Sequence, residues 1–271
     1  MEAWLILLPA FAMSALMIVS HTYLGLHVLA RGIIFVDLAL AQVAALGVSV
    51  AFLLGEESHG VNAQLYAFAA TLTAAFAFAA LRRVPDKTTR EVIIGCVYVV
   101  TTALSIVILS RSSQGMEELK SLFNGSILWV RWQEIALMAG ATALLAIVHL
   151  IYRKRFYKLS FATKETGPCP GFLWEFLFFA SFATIITLAV NVAGVLLVFA
   201  FLIIPAFSAS LLANSLVMRL LIGWGLGLVG AASGLWLSFT ADLPVGATVV
   251  SVVGLLPIMA ILLQYAKSRI K

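Results

Sequence analysis

Nine long apolar runs alternate with short polar stretches along the chain, at 4–26, 33–55, 62–81, 91–110, 134–152, 173–190, 192–213, 217–239 and 246–266. Each is close to the ~20 residues that carry an α-helix across the hydrocarbon core of a bilayer. The pattern predicts an all-α, polytopic membrane protein with about 8–9 transmembrane helices, residues 1–271 forming one transmembrane domain. Only Asn191 and Gly194 mark a turn between the sixth and seventh runs, so the count is nine, or eight with one long or re-entrant segment.

Charge supports the same arrangement. Of the 17 Lys and Arg residues, 14 fall on one side if the runs alternate in direction: Arg31, then Arg82, Arg83, Lys87 and Arg90, then the group from Arg153 to Lys164, then Arg219, and Lys267, Arg269 and Lys271. The other side holds Arg111, Lys120 and Arg131 against Glu56, Glu57, Glu117, Glu118, Glu134 and Asp242. Cytoplasmic loops carry the excess of basic residues, which predicts an outer N-terminus and a cytoplasmic C-terminus. Trp129 and Trp132 suit the headgroup layer of the longest outer loop. In that loop Asn124-Gly125-Ser126 is formally a glycosylation tripeptide and equally reads as a turn.

Composition then removes whole classes. With 63% apolar and 11% charged residues and a mean hydropathy of +1.09, neither a soluble domain, normally ~25% charged, nor a disordered chain is compatible. No polar block is long enough to be a tethered soluble enzyme. The net charge of +5 is accounted for by membrane orientation, so no nucleic acid partner is implied. Cys96 and Cys169 lie far apart and form no CxxC pair. The first run lacks a basic lead or a cleavage-like site and is expected to be a retained helix.

Motifs for chemistry are missing. There is no GxxxxGK[ST], no HExxH and no GxSxG, and Asp37 is read as the one acid inside a span. Gly225-Leu-Gly227-Leu-Val-Gly230 matches GxGxxG formally, but it lies within an apolar helix-length run. Gly223, Gly227, Gly230 and Gly234 read instead as a close helix-packing face. Polar residues inside spans are costly and mark candidate pathways. They are His21, His27, Asp37, Gln42 and Asn191. Each could equally supply a helix–helix hydrogen bond, and Asp37 could pair with Arg31. At ~100° per residue, Asp37 and Gln42 stand ~140° apart around a regular helix. Pro205 predicts a helix break near 203–205, followed by a short small-residue helix over 206–216.

Three stretches resemble a known family. They are Arg31 to Val48 with Asp37, Gln42 and Gly47; Gly194 to Asn214 with its Leu-Ile-Ile-Pro205-Ala core; and Asp242-Leu-Pro244-Val-Gly246-Ala-Thr. Leu122-Phe-Asn-Gly125 adds a weaker match. Together they resemble the permease subunit of bacterial ATP-binding-cassette importers for zinc, manganese or iron, of the type II importer kind. The resemblance implies a multi-pass protein of the bacterial cytoplasmic membrane, embedded in lipid. It implies no permanently bound cofactor, a divalent metal ion as substrate, and ATP used by a separate cytoplasmic subunit. Further implied partners are an extracytoplasmic metal-binding protein and a second permease copy in a homodimer. It implies a coupling segment at about 204–216, with Pro205, Ala206, Ser208, Ala209, Leu212 and Asn214 at the ATPase. It implies structural roles for Gly47, Gly194, Asp242, Pro244 and Gly246, and a metal route past Asp37. Gln42 stands where family members commonly have His, and Asp37 is displaced by one position. A glutamine oxygen faces a hard cation well but matches zinc poorly. Alternative readings are a permease for a metal chelate or vitamin, or a secondary metal transporter, which would call for inverted repeats and several in-span charges.

Overall fold

A computed structural model describes residues 2–57, 60–111, 115, 117, 120, 125, 127–161 and 171–270. The tripeptide Asn124–Ser126 as a unit, Leu122, Glu118, Lys164, Cys169 and Lys271 lie outside the described residues, as do the side chains of Lys267 and Arg269.

The described chain is helical, with α1 (Glu2–Arg31), α2 (Val36–Leu53), α3 (Val61–Ala80) and α4 (Lys87–Leu109) in its first part. There follow α5 (Trp132–Ile151), a short α6 (Arg153–Phe161), the long α7 (Phe172–Leu212), α8 (Leu216–Ala241), α9 (Val245–Val253) and α10 (Leu256–Ile270). Among the described residues, eight helical stretches are long and apolar enough to cross a membrane, α9 and α10 together making one of them.

The 41 residues of α7 would reach ~60 Å if straight, twice the hydrocarbon thickness. They are not straight. Gly194 adopts φ 75°, ψ 162°, a region essentially reserved for glycine, and divides α7 into limbs 172–193 and 195–212. Contacts with α1 show that the limbs fold back on each other. Glu175 pairs with Arg31, while Leu202 and Ala206 crowd Gly25. Arg31 and Gly25 are ~9 Å apart along α1, whereas Glu175 and Leu202 would be ~40 Å apart on a straight helix. The described residues therefore make nine passages. The break falls at Gly194, one of the two residues expected to mark the turn.

The break expected at Pro205 is absent. The second limb runs through Pro205 to Leu212, so 206–212 is the end of a long helix rather than a separate short one. Proline loses one backbone hydrogen bond, and such losses are tolerated where neighbouring helices enclose the site. Here α8 encloses it: a Cβ at Gly227 would lie 3.3 Å from the Pro205 ring, and one at Gly223 would lie 3.3 Å from its carbonyl oxygen.

The glycines of α8 perform the close packing that their spacing suggested. Gly223 and Gly227 meet Thr22 and Ile18 of α1, whereas Gly230 and Gly234 meet Val253 and Val249 of α9. In lipid, helices gain little from hiding apolar surface, so backbone approach through small residues drives association. Gly47 does the same between α2 and α3, where an added Cβ would sit 2.6 Å from the Ala67 Cα.

Burial divides the helices into an inner and an outer set. In the most apolar window of α7, 78% is buried, and in α2 72%, against 17% in α4. The outer helices display Val99, Val100, Leu104, Ile258 and Leu262 to the surrounding lipid.

Candidate functional site

The basic ends of the helices converge. Arg31 closes α1, Arg82 and Arg83 follow α3, Lys87 and Arg90 open α4, and α6 carries Arg153 to Lys158. The Glu91 carboxylate accepts from the Phe35 amide at 2.8 Å, tying α4 to the link before α2. The Arg31 guanidinium donates to the Glu175 carboxylate and lies over the rings of Phe178 and Phe179, 4.7 and 5.0 Å from their centroids. Asp37 is therefore not the sole acid inside a span. Glu175, at the start of the sixth run, is also buried, and it is the carboxylate that Arg31 engages.

The five candidate pathway residues sit on three helices. α1, with His21 and His27, packs chiefly on α7, whereas α2, with Asp37 and Gln42, packs chiefly on α3 and α4 and less on α7. Asn191 is half-buried three residues before the Gly194 turn. It stands ~24 Å along α7 from the level of Glu175.

The histidines of α1 differ in their surroundings. His21 is fully buried, with Nδ1 2.8 Å from the Met17 carbonyl oxygen and Nε2 unpartnered among the described residues. His27 shares a 2.7 Å hydrogen bond with Ser160 and meets Tyr23 and Phe161 edge to face. It pins α6 to α1.

A third histidine belongs with them. His149 of α5 lies 2.9 Å from the Tyr23 hydroxyl through Nδ1 and 3.0 Å from Ser181 through Nε2, and its ring stacks on Phe156 at 3.7 Å. Both ring nitrogens are used, so His149 locks α1, α5, α6 and α7 together. It was detectable from sequence, being an in-span polar residue of the fifth run.

On α2 the accounting is different. Asp37 is fully buried and neither carboxylate oxygen has a hydrogen-bond partner among the described residues. Gln42 is 1% exposed and its Nε2 is likewise unpartnered. Buried polar groups are normally hydrogen-bonded, so each of these is an exception, as are His21 and Thr22 on α1. The visible compensation for Asp37 is its place in the first turn of α2, where helix amides favour negative charge. No three His, Cys, Asp or Glu side chains gather into a metal-holding group among the described residues.

Of the six residues expected at an ATPase, four are internal. Pro205, Ala206, Ser208 and Ala209 are buried, Leu212 is half-buried and Asn214 is exposed. The Ser208 hydroxyl donates to the Ile204 carbonyl oxygen at 2.8 Å. Beyond Leu212 the chain makes a short link at 213–215. There the Ser215 hydroxyl caps α8 by accepting from the Met218 amide, and Arg219 donates to the Ala213 carbonyl oxygen at 2.9 Å. Asn214, Ser215, Val217 and Met218 form the exposed tip.

At the far end, Asp242 takes a left-handed conformation (φ 52°, ψ 46°) after α8, and Pro244 opens α9. The Ser238 hydroxyl donates to the Leu243 carbonyl oxygen at 2.7 Å and holds this corner. Gly246 lies half-buried in the first turn of α9. Gly125 (φ 65°) seats against the Ala193–Gly194 turn, where an added Cβ would meet backbone at 2.1 Å.

Known proteins share this architecture. The solved structure of PsaBC from Streptococcus pneumoniae in complex with Fab superposes with a TM-score of 0.75 at 20% identity, covering 94% of this chain and 90% of that one. The manganese transport system membrane protein MntC of Listeria innocua is 27% identical over 243 residues, 88% of this chain and 84% of the relative. An uncharacterized membrane protein of Synechocystis is 29% identical over 164 residues, and the match spans only 58% of its length. The model of the ABC 3 transport family matches residues 4–264, nearly the whole helical assembly described above, and the chain belongs to that family.

Proposed function

We propose that this chain is the membrane permease of an ATP-binding-cassette importer for a divalent transition metal, with manganese favoured over zinc. The observation that carries the reading is the similarity over 88% of the chain to a manganese transport membrane protein. The donors on α2 agree with it. Carboxylate and amide oxygens suit manganese, whereas zinc favours imidazole and thiolate. An unpartnered Asp37 at the basic end of α2 attracts a passing cation. The lack of a preformed cage among the described residues fits a short residence, as release requires.

In this reading the basic end faces the cytoplasm of a bacterial cell. The chain carries no P-loop, so a separate subunit hydrolyses ATP, and a metal-binding protein delivers cargo to the outer loops. Two copies of the permease form the path. Burial of Pro205, Ala206, Ser208 and Ala209 narrows the coupling surface to the exposed tip around Asn214, Ser215 and Met218.

Uptake of radiolabelled manganese, zinc and iron by cells lacking other importers tests this directly. ATPase-dependent accumulation of manganese ahead of zinc is expected. Accumulation that persists without any ATPase partner would refute it. Bulky charged replacements at Asn214 and Met218 are expected to stop co-purification of the ATPase while leaving the permease folded.

A further inference from the structure

Between α1, α5, α6 and the start of α8 lies a groove of about 730 Å3. Its walls are apolar, formed by Val19, Leu145, Leu216 and Leu220 among others. Most polar groups at its base are already satisfied within the protein. Tyr23 and His149 are bonded to each other, and the Trp224 indole donates to the Val19 carbonyl oxygen at 3.2 Å. The Thr142 hydroxyl alone among the lining residues is buried without a partner among the described residues, so a guest there needs bulk and at most one hydrogen bond.

The rim at the basic end is opposite in character. Arg153, Lys154 and Lys158 line it, and no carboxylate does so among the described residues. Lys154 and Lys158 are four residues apart on α6, on one helical face. None of the three forms an ion pair among the described residues. The apolar part extends along α5 from Thr142 to Leu150, ~12 Å. That approaches half of the ~30 Å hydrocarbon thickness, the depth of one lipid leaflet.

We propose that this groove is a binding site for an anionic phospholipid of the leaflet at the basic end. The phosphate is held by Arg153, Lys154 and Lys158, and an acyl chain lies along Val19, Leu145 and Leu220. Basic pockets between membrane helices are where anionic headgroups are recognised. A second copy of the chain fits less well. In a twofold contact centred here the same patch meets itself, and the three cations would oppose three cations. The proposal does not depend on the identity of the transported metal.

The test is native mass spectrometry of the full-length permease titrated with phosphatidylglycerol or phosphatidylcholine. Wild-type protein is expected to retain phosphatidylglycerol preferentially. The double substitution Lys154→Gln, Lys158→Gln is expected to weaken that binding about 30-fold, with phosphatidylcholine unaffected. The control Arg82→Gln, Arg83→Gln, which removes equal charge elsewhere at the same end, is expected to change it little. Equal retention of the two lipids, or equal losses in both double variants, overturns the site in favour of diffuse surface attraction. Spontaneous dimer cross-linking through Val217→Cys overturns it in favour of a second copy. If the lysine variant fails to fold, Leu220→Trp fills the groove and leaves the rim intact. Undiminished phosphatidylglycerol binding by that variant also overturns the proposal.

Discussion

Two buried carboxylates at the basic end behave oppositely. Glu175 is gripped by Arg31 beneath two phenylalanine rings, whereas Asp37 faces no hydrogen-bond donor among the described residues. Both lie in helices that are otherwise apolar. A paired charge can be part of the scaffold, here joining the end of α1 to the start of α7. An unpaired one is a standing cost, retained where something else benefits from it. The difference separates structural from functional acids more sharply than position in a span does.

Removing either group should move stability in opposite directions. Glu175→Ala leaves the Arg31 charge buried without its carboxylate, and a loss of about 3–5 kcal/mol is expected, measured as a fall in melting temperature or in folded yield. Asp37→Asn removes the costly charge, so melting should hold or rise while metal uptake drops about tenfold or more. A wild-type uptake rate in a well-folded Asp37→Asn protein would make Asp37 a scaffold residue after all. Gln42→His should shift preference several-fold from manganese toward zinc in competition uptake.

Two weaker effects sharpen the contrast. The exposed Asp86 caps α4, accepting from the Thr89 amide and hydroxyl at 2.7 and 2.6 Å. Those bonds, the hydroxyl first, hold its carboxyl below the ordinary aspartate range. Its contribution is therefore complete above the unfolded value and lost as pH falls through the lowered one. A small destabilisation by Asp86→Ala at neutral pH, shrinking in acid, is expected in thermal melts. The double change Arg31→Met, Glu175→Met should leave stability within about 1 kcal/mol of wild type, because a well-packed apolar pair replaces a buried ion pair at little cost.

Much of this was legible beforehand. Run length and the one-sided placement of basic residues defined the membrane helices, because hydrocarbon thickness and backbone hydrogen bonding leave few alternatives. Spacing of the α8 glycines gave their packing role. The breaks were harder to read. Pro205 carries the stronger helix-breaking signal, yet α8 accommodates it. Gly194 offers only the absence of a Cβ, and it is the residue that turns the chain. Glu175 was obscured by lying at the edge of its run, and His149 by the bulk of apolar residues around it.

The sequence by itself determined the class of solvent, the number of passages within one, and the family resemblance. These depend on composition and on local spacing along one chain. Tertiary structure decided which polar groups are satisfied. Partners such as Arg31 and Glu175, or Tyr23 and His149, are far apart in sequence, and only the packing of α7 and α5 against α1 brings them within hydrogen-bonding reach. It also decided that Pro205, Ala206, Ser208 and Ala209 are internal, since burial depends on what α1 and α8 place over them.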